Sequence, residues 1–146
     1  MLQFLLLLPI LVAVATARVQ TVGARGQLMC GNQPLAGATV KLWDLNTWPI
    51  PDDVIMEAYT DQNGNFEVYG TRDDTFKMDP AVKFYHRCNN RGTFNIPNLC
   101  KRKITYDIPK SYIHDGSAVG TWYEMGTTNM EAKQRNEATE CFGKKK

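Results

Sequence analysis

Several signatures of chemistry are missing from this sequence. Histidine occurs twice, at His86 and His114. There is no G-x-S-x-G, no H-E-x-x-H and no glycine-rich phosphate loop, so the commonest nucleophile, metalloprotease and nucleotide sites are excluded. Cysteines never fall in a C-x2-C pair and histidines never in H-x3-H, the close spacings that zinc sites use. No N-x-[ST] sequon follows Ala17, so ordinary N-glycosylation is not expected. The net charge is only +2, too mild to point to nucleic acid. There is one long apolar run and no second one.

That run, Leu2 to Val14, is apolar except for Gln3 and leads through Ala15, Thr16 and Ala17 into Arg18. An apolar core followed by small residues reads as a secretory signal cleaved after Ala17. A transmembrane anchor needs roughly 20 apolar residues, and this run is shorter. The expected mature chain is 18–146, which is 129 residues (146 − 17). This is one domain, exported and soluble, and large enough to bury a real core.

All four cysteines, Cys30, Cys88, Cys100 and Cys141, lie in the mature part. An even number in an exported chain implies two disulfides. Four cysteines allow three pairings. Cys88 and Cys100 enclose 11 residues, a loop that suits neighbouring strands, which leaves Cys30 to pair with Cys141.

Between these points the sequence alternates with period two. Val22, Ala24, Gly26 and Leu28 form one face of a first strand, and Gly31-Asn32-Gln33-Pro34 turns the chain. Ala38, Val40 and Leu42, alternating with Lys41 and Trp43, make a second strand, expected to pair with the first as a hairpin. Residues 44–53 form a loop carrying Trp48 and Ile50. A third strand near Val54 to Thr60 leads to Asn63-Gly64, a tight hairpin turn, and then to Phe66 and Val68. Val82, Phe84 and His86 face inward on the next strand, and Ile104, Tyr106 and Ile108 on the one after. A last strand spans Thr121 to Met130. Glu131 to Glu140 has helix-forming residues but no apolar stripe. About seven strands with turns between them, and no helix of βαβ length, predict an all-β sandwich or barrel.

Few polar residues suggest a reaction. His86 reads as a core or sheet-end histidine and His114 as a solvated turn residue. Asp61-x-Asn63-Gly64-Asn65 opens like a calcium loop but lacks the later bidentate acid, so it reads as a turn. Asp52-Asp53 and Asp73-Asp74 have no base or nucleophile to work with. No catalytic residue, metal or cofactor is expected.

Binding has better candidates. Lys101-Arg102-Lys103 and Lys144-Lys145-Lys146 are basic clusters. Trp43 and Trp48 lie on a polar-facing strand side and in a loop, and of Trp122 and Tyr123 only one can point into the core.

Taken together, some of these segments resemble the nematode transthyretin-like proteins. They are Val22-Gly23-Ala24-Arg25-Gly26-Gln27-Leu28, Cys30-Gly31-Asn32-Gln33-Pro34, Val40-Lys41-Leu42-Trp43 and Thr60 to Phe66. So do Asp79-Pro80, Lys83 to Cys88, Cys100 to Lys103 and Ile108 to Ile113. The resemblance runs from about Val19 to Cys141. It implies a transthyretin-type (prealbumin-type) β-sandwich in an exported protein. One member of that family bridges phosphatidylserine on dying cells to a phagocyte receptor. The related hydroxyisourate hydrolases end in Tyr-Arg-Gly-Ser; this chain ends Cys141-Phe142-Gly143-Lys144-Lys145-Lys146, which argues against that activity. The expectation is an extracellular binding or carrier protein for an apolar small molecule, a lipid or a cell-surface partner. Lys101, Arg102, Lys103 and Trp48 are its candidate contacts. A structural or signalling protein without a small ligand is the other reading.

Overall fold

In the computed structural model, residues 18–74, 77–90 and 100–141 are described. The expected signal segment 1–17 and the terminal lysines lie outside them. Ten strands are found among the described residues: β1 (Arg18–Cys30), β2 (Gln33–Pro34), β3 (Thr39–Asp44), β4 (Asp53–Tyr59), β5 (Asn65–Asp74), β6 (Pro80–His86), β7 (Cys100–Asp107), β8 (His114–Asp115), β9 (Tyr123–Asn129) and β10 (Glu137–Cys141). One sheet is built on β1, which pairs with β2, β5, β8 and β9; the other runs β10-β7-β6-β3-β4. The two stack as a sandwich, the all-β class that the alternation predicts.

The reason is the alternation itself. Val22, Ala24 and Leu28 of β1 and Phe66 and Val68 of β5 are buried, as are Val40, Leu42, Val82, Phe84 and Ile104 of the other sheet. Each sheet has one apolar face, and stacking the two faces removes both from water. Phe66 and Phe84 meet edge to face across the interface, ring centroids 5.0 Å apart. Truncating Phe84 there would cost about 3–5 kcal/mol.

Strand pairing departs from the sequence reading in two places. β1 does not form a hairpin with β3. The chain turns at Gly31, φ +64°, and its hairpin partner is the two-residue β2, after which the chain crosses to the opposite sheet. With β3 in the opposite sheet, Val40 and Leu42 share one core with Val22, Ala24 and Leu28 of β1. The Asn63-Gly64 turn is present, with the Asp61 carboxylate accepting from the amides of Asn63 and Asn65 at 2.9 and 2.8 Å. It joins β4 and β5, which belong to different sheets, so it is a corner and not a hairpin. Gly64 has φ +77°, and a Cβ there would lie 2.2 Å from the Leu28 carbonyl oxygen.

The disulfides correct the expected pairing. They join Cys30 to Cys88 and Cys100 to Cys141, not Cys88 to Cys100 and Cys30 to Cys141. The β6–β7 ladder ends at His86 opposite Arg102, and the chain then turns through Asn89, φ +52°. Cys88 therefore leaves the sheet before it could face Cys100 and instead bonds to the end of β1 in the other sheet. Cys100 lies directly opposite Cys141. That partner sits on β10, a strand formed where the sequence reads as helix-forming residues.

Candidate binding face on the second sheet

Along β7 the side chains alternate, and this separates Lys101-Arg102-Lys103. Lys101 and Lys103 point outward and are half-buried, whereas Arg102 points between the sheets and is buried. Its Nε and Nη2 donate to the two oxygens of Glu137 at 2.5 and 2.8 Å. Nη1 donates to the carbonyls of Cys88 and Met130, both at 2.7 Å, and Nη2 to that of Ala132 at 3.1 Å. The hydrogen bond to Glu137 raises the Arg102 pKa, and the guanidinium in turn holds the Glu137 carboxyl below its usual range. Arg102 is thus a structural residue and is removed from the expected lipid contacts.

His86, opposite Arg102 on β6, is 3% exposed. Its Nδ1 accepts from the Cys88 amide at 3.1 Å, which places the proton on Nε2, a buried atom without a hydrogen-bond partner. Burial, reinforced by the Arg102 charge, pushes its pKa down to about 4. His114 is half-buried and its Nε2 accepts from the Thr121 amide at 3.0 Å. The paired acids of the first loop hold structure: Asp52 accepts from the Asn46 amide at 2.9 Å, and Asp53 pairs with Arg72 at 2.6 Å.

Trp48 is 88% exposed, in the loop after β3. That loop leaves the sheet where Trp43 pairs with Ala81, and Ala81 with Asp107. Lys101 is six residues away along β7, or ~20 Å. Trp48 and Lys101 therefore mark opposite ends of the sheet and do not form one patch.

What register does assemble is a cluster the sequence reading did not join. Lys41, Lys83 and Thr105 lie in one row across β3, β6 and β7, and Thr39, Tyr85 and Lys103 in the next. All project from the solvent side of this sheet. Tyr85 is only 5% exposed because lysine stems cover it. The Lys41 and Lys103 ammonium groups lie 5.0 and 5.8 Å from its ring centroid, and that of Lys83 lies 4.3 Å from the Trp43 ring. Each such contact contributes about 0.5–1 kcal/mol. Lys41 also reaches Glu57 at 3.9 Å. Among the described residues, Lys83, Lys101 and Lys103 form no ion pair.

The electrostatics of this face are unfavourable to itself. Lys41 and Lys83 are directly opposite, a like-charge pairing that destabilises a sheet. Burial first, then Lys103 and Lys41, lower the Lys83 pKa against the opposing pull of Asp52 and Glu140. Burial and Glu140 push the Tyr85 phenol up to about 12, although the nearby Trp43 indole acts in the other direction. A shallow groove of about 440 Å³, lined by Leu35, Ala38, Tyr85, His86 and Lys101 among others, opens at the Lys101 end.

Beyond this face the described residues offer little other chemistry. No group of three or more His, Cys, Asp or Glu among them could hold a metal. No helix among them is long and apolar enough to cross a membrane.

Known proteins match this chain widely. Transthyretin-like protein 46 of Caenorhabditis elegans is 36% identical over 92% of this chain and 74% of its own length. Transthyretin-like protein 33 is 37% identical over 84% and 82%, and transthyretin-like protein 5 is 35% identical over 84% and 85%, both from the same organism. A solved 9R-lipoxygenase from Cyanothece PCC8801 aligns with 76% of this chain and 16% of its own, at TM-score 0.40 and 24% identity, too slight a likeness to carry anything further. The profile of the transthyretin-like family (TTR-52) matches residues 25–109, and with these relatives it establishes that the chain belongs to the transthyretin-like family.

Proposed function

We propose that this is a secreted binding or carrier protein without catalytic activity, acting through the solvent face of the β10-β7-β6-β3-β4 sheet. The observation that carries the reading is the gathering of Lys41, Lys83 and Lys103 around Tyr85 and Trp43. Ring contacts and the Glu57 pair offset part of the repulsion between these like charges. A partner that neutralises the lysines removes the rest.

Two further features support the reading. The segment 1–17 has the pattern of an export signal, and two disulfides suit an oxidising compartment. His86 and Arg102, the residues a hydrolase would most readily use, are buried and engaged in backbone hydrogen bonds. The ligand classes that suit such a face are an anionic cell-surface or extracellular partner, a lipid headgroup, or a small molecule reaching into the groove beside Lys101.

Native mass spectrometry of protein purified from its source tests this. The expected result is a chain starting at Arg18 with both disulfides intact and a bound, dissociable partner or ligand. A chain retaining residues 1–17, or one turning over hydroxyisourate with loss of activity in His86→Ala, would overturn it.

A further inference from the structure

The lysines on this face follow one bent path, first across the strands from β3 to β7 and then along β7. Lys41 on β3 faces Lys83 on β6, and Lys103 on β7 is one strand further and two residues along. Lys101 continues two residues beyond it on β7. Strand spacing and rise make this a stripe ~20 Å long. Carboxylates border it: Glu57 on β4 faces Lys41, and Glu140 on β10 faces Lys101. Asp52 lies close enough to act on Lys83. Tyr85 and Trp43 floor the stripe, and the Tyr59 hydroxyl, on exposed β4, donates to Glu57 at 3.2 Å.

We infer that this stripe binds a linear acidic polysaccharide, its sulfate or carboxylate groups meeting Lys41, Lys83, Lys103 and Lys101 in succession. The inference deepens the binding reading above and rests on it. Charge complementarity selects the shape of the occupant. A flat anionic bilayer pressed on this face would also meet Glu57 and Glu140. A narrow chain lying over the lysines removes the repulsion between Lys41, Lys83 and Lys103 and meets Glu57 and Glu140 only beside its two ends. The half-buried Trp43 ring beside Lys83 offers an apolar surface to a sugar ring, and the lysines supply point charges on flexible stems.

The test is an amide chemical-shift titration of the full mature chain with a heparin-derived hexasaccharide at about 50 mM salt, where exposed charges are only partly screened. The expected result is saturable shifts at Lys41, Lys83, Tyr85 and Lys103, absent with an uncharged dextran of equal length. Lys83→Gln with Lys103→Gln should weaken binding about tenfold, as expected for losing two solvent-exposed ion pairs, with an unchanged circular dichroism spectrum. Replacing Lys144, Lys145 and Lys146 by Gln should leave affinity unchanged. The inference is overturned if shifts appear only at the terminal lysines or if the double substitution leaves affinity intact. Tighter binding through this face to phosphatidylserine vesicles or to a single-stranded oligonucleotide would overturn it equally. Failure here with a different ligand recovered by native mass spectrometry would sink the polysaccharide and leave the binding role standing.

Discussion

At Arg102 one guanidinium holds both oxygens of Glu137 and the carbonyls of Cys88, Met130 and Ala132. Replacing it by methionine leaves a buried carboxylate and several carbonyls without a donor. Arg102→Met should lose about 3–5 kcal/mol of stability, the usual cost of breaking a buried ion pair, measured by urea denaturation; a wild-type midpoint would contradict this structural role. His86 makes stability depend on pH. Its pKa is about 4 folded against about 6.5 unfolded. Between these values the unfolded chain holds the extra proton, so stability falls as pH drops from 6.5 towards 4 and levels off below. The loss is at most about 3 kcal/mol. Glu137, held below its usual range, adds loss in the same direction as it becomes protonated. In His86→Gln the decline between pH 6.5 and 4 should flatten, leaving the Glu137 part; an unaltered pH profile would show that His86 is not its source.

Among the elements, β10 depends most on its crosslink. Its Glu137-Ala138-Thr139-Glu140 segment has no buried apolar residue. The strand is held by pairing with β7, by Arg102 and by the disulfide from Cys141 to Cys100. Cys100→Ser with Cys141→Ser should cost up to about 4 kcal/mol on the chain-entropy model, with amide exchange in β10 rising first. Unchanged exchange there would show that pairing alone suffices. The same strand shows where sequence reading reaches its limit. Strands β1, β3, β6 and β7 were legible because Val, Leu, Ile and Phe recur at every second position. β10 was not, because nothing apolar marks it and its partners are 33 to 41 residues away. Partner choice was equally hidden. The apolar face of β3 is plain from Val40 and Leu42, but whether it lies beside β1 or across from it depends on what covers both. Pairing Cys88 with Cys100 would need the β6–β7 ladder to reach Cys88, but it ends at His86 opposite Arg102. Lys41, Lys83 and Lys103 each look like ordinary solvated residues. Only the register of three strands makes them a cluster, although Lys41-x-Trp43, Lys83-x-Tyr85 and Lys101-x-Lys103 repeat one outward pattern.

On the scale of the whole molecule, the two disulfides have different tasks. Cys30–Cys88 ties the sheets together, and Cys100–Cys141 closes the edge of the second sheet. Between them the second sheet is braced at its inner side by Arg102 and left with its lysine-bearing side towards solvent. The most direct test of the account is acetylation footprinting of the lysines, comparing purified protein with protein in the extracellular fluid of its source. The account predicts that Lys41, Lys83 and Lys103 lose reactivity in the fluid while Lys110 and Lys133, which lie outside the strands of this sheet, keep theirs. Equal reactivity of all the lysines in both samples, or protection confined to lysines outside the second sheet, would contradict it.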